Sequence, residues 1–149
     1  MLGSLAKWLR IFGFDTMYPD NTTTDDSLLQ TAKEENRLLI SRDKRLIQRG
    51  KKAQLPVLEI QTTRLSEQIA QVLSHITVDE KTILSRCTLC NNPLRSVEKK
   101  GLEPYIPEQV FRTRDAFWYC PTCKKYYWMG THYENMREKI NLHLLKGSS

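Results

Sequence analysis

Leu38-Leu39-Ile40-Ser41-Arg42-Asp43 is the stretch on which the fold turns. A short unbroken apolar run is what a strand covered on both faces of a parallel sheet requires. Here polar Ser41, Arg42 and Asp43 follow at its C-terminal end. On the N-terminal side the apolar period lengthens to that of a helix, with Leu28, Leu29 and Ala32 on one stripe, Thr23 or Thr24 as cap, Asp25 and Asp26 in the first turn and an end near Asn36. Further back, Asp15–Tyr18 reads as a strand, and Leu2, Leu5, Leu9 and Phe12 recur at helical spacing before a stop at Gly13. On the C-terminal side a short basic helix, Asp43–Gln48, leads to Gly50. A strand at Leu55–Ile60 and a helix capped by Thr63, with Leu65, Ile69, Val72, Leu73 and Ile76 on one side, complete the series. Strand and helix alternating in this way predict an α/β domain over residues 1–78, a small parallel sheet flanked by helices. In such sheets ligands bind off the C-terminal ends of the strands, where Asp43 falls.

The second half is organised by sulfur. Cys87-x-x-Cys90 is followed by Cys120-x-x-Cys123. Zinc takes four soft ligands in a tetrahedron, and each CxxC turn directs two sulfurs at one ion. Neither CxxC opens a helix after a strand, where a redox pair belongs. With no open position in evidence, the spacing predicts a structural zinc held by Cys87, Cys90, Cys120 and Cys123 in a zinc ribbon, supporting a module too small to build a core from side chains alone. Val78–Arg86 reads as the link. The second domain then spans 85–145, ribbon plus a helix at Tyr133–Leu145 with Met136, Ile140 and Leu144 on one face, and Lys146–Ser149 reads as a frayed end.

Composition narrows the functional classes. At 40% hydrophobic and 27% charged, the chain is too apolar for disorder, and no apolar run approaches the ~20 residues of a membrane span. Lys7 and Arg10 interrupt the N-terminal apolar stretch where a signal peptide has an unbroken core, and paired cysteines in a non-secreted chain suit a reducing cytoplasm. The net charge of +6 favours a polyanionic partner.

Two groups of residues fit such a partner. Asp25 opens a helix and Asp43 follows a strand, so both carboxylates can gather at the sheet's C-terminal edge, where a hard divalent cation would find oxygen ligands. The same acids also suit helix starts, interacting with the macrodipole or capping. Arg42, Lys44, Arg45, Arg49, Lys51 and Lys52 place six cations within eleven residues of this point, either a solvated face or a seat for a phosphate backbone. Around the second CxxC, aromatic residues interleave with Lys124 and Lys125. Trp118, Tyr127 and Trp128 either stack on bases of a single strand or form the ribbon core, and His132 is either a nucleic-acid contact or acid–base group, or a packed structural residue.

Four blocks in register, LGSLAKWLRIFGFDT, DDSLLQTAKEENRLLISRD, CTLCNNPL and YCPTCKKYYWMGTH, resemble the family sharing the Mut-seven C-terminal RNase domain, over about residues 2–133. The resemblance implies a PIN-like nuclease fold with a C-terminal four-cysteine zinc ribbon, acting on RNA by metal-assisted phosphodiester hydrolysis. Asp25 and Asp43 match the acids that hold magnesium or manganese, and the four cysteines match the ribbon ligands. Arg42, Lys44, Arg45, Lys51, Lys52, Lys124, Lys125, Tyr127 and His132 are the expected RNA-binding residues. The family pattern also has a short strand ending in Asp ahead of the Leu-Gly-x-Leu-Ala helix, and a further acid two residues after Asp43. Here Leu2-Gly3 directly follows Met1 and position 45 is Arg, so a weak cation site is expected. The competing reading is a catalytically inactive zinc-ribbon module that binds RNA or the ribosome.

Overall fold

The computed structural model describes residues 2–147, with side-chain surroundings given to residue 141. Six α-helices, a two-stranded parallel sheet and a three-stranded antiparallel sheet make up the described residues, a mixed α/β fold. The helices are α1 (Gly3–Ile11), α2 (Asp25–Glu34), α3 (Lys44–Lys52), α4 (Leu65–Leu73), α5 (Glu108–Thr113) and α6 (Thr131–Gly147). The strands are β1 (Leu39–Ser41), β2 (Val57–Glu59), β3 (Arg95–Val97), β4 (Phe117–Cys120) and β5 (Lys125–Tyr127). Leu144 of the expected C-terminal helix face lies outside the residues whose side chains are described, and Ser148 and Ser149 lie outside the described residues altogether.

β1 pairs in parallel with β2, Leu39 opposite Val57 and Ser41 opposite Glu59, with α3 as the crossover. Gly50 was expected to follow this helix. Instead α3 runs on to Lys52 and carries Gly50 buried in its middle, because a Cβ there would come within 2.8 Å of Val57 Cγ1 and 3.0 Å of Leu39 Cδ2. Glycine lets the helix sit directly on the two strands.

Asp15–Tyr18 forms no strand. Both polar groups of the Thr16 backbone are taken by side chains: its N–H donates to Asn91 Oδ1 at 3.0 Å, and its carbonyl accepts from Arg10 Nε at 2.9 Å. No ladder remains for it to join. Thr63 does not cap α4 either. Arg64 occupies that position without a side-chain cap, and Thr62 Oγ1 accepts the Arg64 N–H and donates to Glu67.

The main core joins α1, β2, α4 and α6 through Leu5, Trp8, Leu58, Ile69, Tyr133 and Met136. Burying each such side chain contributes roughly 1.5–3 kcal/mol. Val78–Arg86, expected as a link, is instead packed: Ile83 and Leu84 are buried in that core, and the Leu84 N–H donates to the Ile11 carbonyl at 2.8 Å. α6, which follows the ribbon in sequence, lays Tyr133, Met136 and Ile140 into the core of the first half. In the ribbon, β3, β4 and β5 form an antiparallel meander, and the excursion through α5 brings Leu102 and Ile106 over Phe117.

Candidate functional site

Cys87 and Cys120 are buried and Cys90 and Cys123 half-buried, and their four Sγ atoms lie within 4.8 Å of one another. A zinc tetrahedron with Zn–S of about 2.3 Å requires sulfurs about 3.8 Å apart; Cys90 and Cys120 Sγ are separated by 3.6 Å. The two knuckles turn alike. Asn91 and Lys124, each directly after the second cysteine of its pair, have φ of 68° and 54°, and their N–H groups donate back to the carbonyls of Cys87 and Cys120 at 2.9 and 2.7 Å. Amides also face the sulfurs: Leu89 N–H donates to Cys87 Sγ at 3.4 Å and Cys123 N–H to Cys120 Sγ at 3.3 Å.

Electrostatics favours a cation among these sulfurs. Burial pushes the Cys87 thiol up, but hydrogen bonds from the Tyr127 hydroxyl and from the Cys90 and Leu89 amides outweigh it and bring its pKa to about 6. Cys123, hydrogen-bonded to Cys90 and facing the other thiols, is pushed up to about 12. One thiolate is favoured there and a second is opposed. A dication removes that opposition and accepts all four as ligands, so the cysteines are positioned to form a zinc site.

Tyr127, expected on an RNA-binding face, is placed against this site: it is 9% exposed with its hydroxyl 3.1 Å from Cys87 Sγ. The Thr88 N–H donates to that hydroxyl at 3.3 Å, and the Thr88 Oγ1 lies 3.2 Å from it. Lys124 and Lys125 are exposed at the β4–β5 turn. His132, exposed at the start of α6, lies against Trp8 with ring centres 5.3 Å apart.

The first knuckle is also fastened to the N-terminal half. Arg10 Nη1 donates to the Thr88 carbonyl at 2.9 Å, and Asn91 Nδ2 donates to Asp15 Oδ1 at 2.7 Å. Asp15 carries a salt bridge from Arg37 at 3.2 Å and lies 4.0 Å from Arg86. The Asn91 hydrogen bond outweighs partial burial and, with Arg37 and Arg86, holds the Asp15 carboxyl below the usual carboxylate range. Sequence reading passed over Asp15 and Asn91, because their pairing spans 76 positions and neither belongs to a periodic pattern.

Asp15 stands on the rim of a cavity of about 730 Å³ between α1, α2 and β1, and Asp25 and Asp43 line the same cavity. Leu5, Leu9, Phe14 and Leu28 form apolar wall, and Arg42 reaches it from the end of β1. Asp43 caps α3: its Oδ1 accepts from the N–H groups of Arg45 at 2.9 Å and Leu46 at 3.3 Å, while its own N–H donates to Ser41 Oγ. Asp25 is the first residue of α2, which Thr24 caps by accepting from Ser27 N–H at 3.1 Å. Both acids therefore occupy helix starts, and both line the one cavity. Asp26, beside Asp25, pairs instead with Arg49. Among the described residues the cysteines are the one close cluster of three or more metal-capable side chains.

Arg42, Lys44 and Arg45 are exposed around the Asp43 end of α3. Lys51 and Lys52, also exposed, lie at its far end, about 13 Å away at 1.5 Å per residue. The structure thus divides the basic run into cations beside Asp43, of which Arg42 lines the cavity, and cations one helix length from it.

No helix among the described residues is long and apolar enough to cross a membrane. No curated protein and no solved structure matches the chain. The order of its parts nevertheless has a counterpart: the model of the Mut7-C RNAse domain matches residues 1–140, from α1 through the ribbon into α6, and the chain belongs to that family.

Proposed function

We propose that the protein is an RNA-binding, PIN-like ribonuclease that hydrolyses phosphodiester bonds with a magnesium or manganese ion held by Asp25 and Asp43. The observation that carries this reading is the opening of both carboxylates onto one cavity at the C-terminal end of β1, with a cationic helix starting at its edge. The donor set fits a hard ion, since both side chains offer carboxylate oxygens on rigid helix starts. When bound, such an ion activates water and neutralises charge developing on the phosphate. The chain's own residues do the positioning. The Arg45 and Leu46 amides fix the Asp43 carboxylate through one oxygen, and Arg42, Lys44 and Arg45 hold the backbone of the strand to be cut. The same cations draw in RNA, the partner class, and four free thiols suit a reducing cytoplasm.

That the cysteines are the one close cluster of three or more metal-capable side chains among the described residues favours one further reading, a protein that binds RNA through ribbon and basic helix without cutting it. Asp43→Asn separates the two. Asparagine caps a helix about as well as aspartate, so α3 survives while the charge is lost. For a nuclease, manganese-dependent cleavage of single-stranded RNA falls about a hundredfold or more and binding is retained or improved. Parent protein that binds RNA yet leaves it intact at saturating manganese establishes the binding module.

A further inference from the structure

The ribbon sheet has two faces, and half of one of them is uncovered. Alternation along β4 puts Cys120 with Trp118 on one side and Phe117 with Tyr119 on the other. Phe117 is sealed by Leu102 and Ile106. Farther along the same face, cross-strand pairing sets Arg95 of β3 opposite Tyr119 of β4, and Tyr119 opposite Tyr126 of β5. Tyr105, arriving from the excursion before α5, extends this row. Its ring centre is 5.7 Å from that of Tyr126, with the planes 26° apart, and the Tyr126 and Tyr119 centres are 4.7 Å apart. Tyr105 is 65% exposed, Tyr119 and Tyr126 are half-buried, and Arg95 is exposed.

We propose that Tyr105, Tyr126 and Tyr119, with Arg95 at the end of the row, form a base-stacking platform for single-stranded RNA on the ribbon, separate from the cavity of Asp25 and Asp43. Three rings in sequence across a small sheet offer π-faces at about the spacing of adjacent strands, and a sheet bearing aromatic residues is a surface on which unpaired bases are splayed and stacked. Arg95 supplies a guanidinium for a phosphate at one edge, and exposed Lys124 lies in the turn leading into β5. Between residues 86 and 128 basic residues outnumber acidic ones eight to four, an excess that outlasts the −2 of a four-thiolate zinc site and favours a polyanion. Duplex RNA is excluded by the same geometry, because its bases are already stacked on one another. The site shares its ligand class with the proposed nuclease and rests on that reading only there; none of its residues lines the cavity.

Binding of a fluorescent single-stranded RNA oligonucleotide to the zinc-loaded full chain, followed by anisotropy, tests the platform. Stacking contributes enough per base that Tyr126→Ala and Tyr119→Ala each weaken binding about tenfold, while Tyr126→Phe and Tyr119→Phe bind as the parent does. Tyr105→Ala, at the most exposed position of the row, gives a loss of the same kind and removes only its ring contact with Tyr126. Arg95→Gln lowers the salt slope of binding by about one phosphate contact, and the tyrosine variants leave that slope unchanged. Zinc content and thermal midpoint, measured alongside, confirm that each variant is folded. Folded alanine variants that bind RNA as tightly as the parent overturn the platform and leave the nuclease reading standing. A parent chain with no affinity for RNA overturns both. Loss of self-association or of a protein contact in these variants, with RNA affinity unchanged, likewise overturns the platform.

Discussion

The four cysteines and the two aspartates are both sets of metal-capable ligands, and the fold holds them in opposite ways. The sulfurs are drawn together, faced by backbone amides and backed by Tyr127, so the chain alone completes their coordination. The carboxylates stand exposed on two different helix starts that line one cavity, and no third ligand atom is drawn in to form a close cluster with them among the described residues. A closed site spends its binding free energy on folding, whereas an open one keeps positions for water and substrate. The difference is between a metal that makes structure and a metal that, on the proposed reading, meets RNA.

Breaking the closed site gives the largest effect. Cys120→Ser or exhaustive chelation removes a binding term on the order of 10 kcal/mol, so the ribbon should unfold or aggregate. Elemental analysis of the parent should find one zinc per chain, and loss of tryptophan near-UV dichroism on chelation should report the collapse. The first half should weaken without unfolding completely. It loses the bonds from Arg10, Thr16 and Asp15 to the first knuckle, each contributing about 1 kcal/mol, but keeps its own packing of α1, β2 and α4. A zinc-free chain that is fully folded would refute the closed-site assignment.

The open site is probed next through its charges. Reversing Lys44 and Arg45 to Glu should weaken RNA binding more than reversing Lys51 and Lys52, since the first pair directly follows Asp43 and the second lies at the other end of α3. Each lost phosphate contact should lower the slope of log affinity against log salt by roughly 0.7 for a single strand. Equal losses from both pairs would place the RNA along the whole helix rather than at the cavity.

How much of this comparison is legible in the sequence follows from the range of the interactions. Cysteine ligands are bound to local turns, so CxxC spacing announces the tetrad without any knowledge of the fold. β1 and the helices around it are equally plain, because Leu38–Ile40 and the stripes of α1 and α4 carry their own periods. The place of Asp43 directly after a strand and ahead of a helix is also plain, and there it caps α3. What escapes is tertiary. Asp15–Tyr18 has the composition of a strand, but its backbone bonds to Arg10 and Asn91. Gly50 looks like a helix stop and is a close-packing site. Tyr127, open in the sequence to a stacking or a ribbon-core role, sits against a sulfur, while the exposed ring in the ribbon is that of Tyr105. α5 is only six residues long, too short to display a period.

Tyr127 also offers a smaller perturbation of the closed site. Tyr127→Phe keeps the ring in its core with Cys87 and Cys120 but deletes the hydroxyl at 3.1 Å from the sulfur. Outer groups of this kind alter metal affinity by about ten- to a hundredfold. Competition against a chromogenic chelator should show zinc bound that much more weakly, with stoichiometry unchanged. An identical affinity would mean that the backbone amides alone set the thiolate.

The smallest expected effect lies where the two sites meet, at Asp15, which faces the cavity and holds Asn91 of the first knuckle. Its folded pKa is depressed, chiefly by the Asn91 hydrogen bond, so its contribution is present above the ordinary carboxylate pKa and is lost as pH falls through the lower folded value. The side chain is 48% exposed, so solvent screens its ion pairs with Arg37 and Arg86 and the contribution is modest. Below about pH 4 the knuckle should therefore loosen from the N-terminal half. Cysteine protonation also releases zinc in acid, so the parent's acid sensitivity alone does not isolate Asp15. Asp15→Asn does, because it removes the titrating group and leaves the metal ligands in place. Amide exchange of residues 14–16, compared between parent and variant from pH 7 to well below the ordinary carboxylate pKa, should show faster exchange in the variant at neutral pH and a difference that persists to about pH 4 and closes only below it. A constant difference across that range would mean that Asp15 acts by hydrogen-bond geometry alone and that its charge couples nothing.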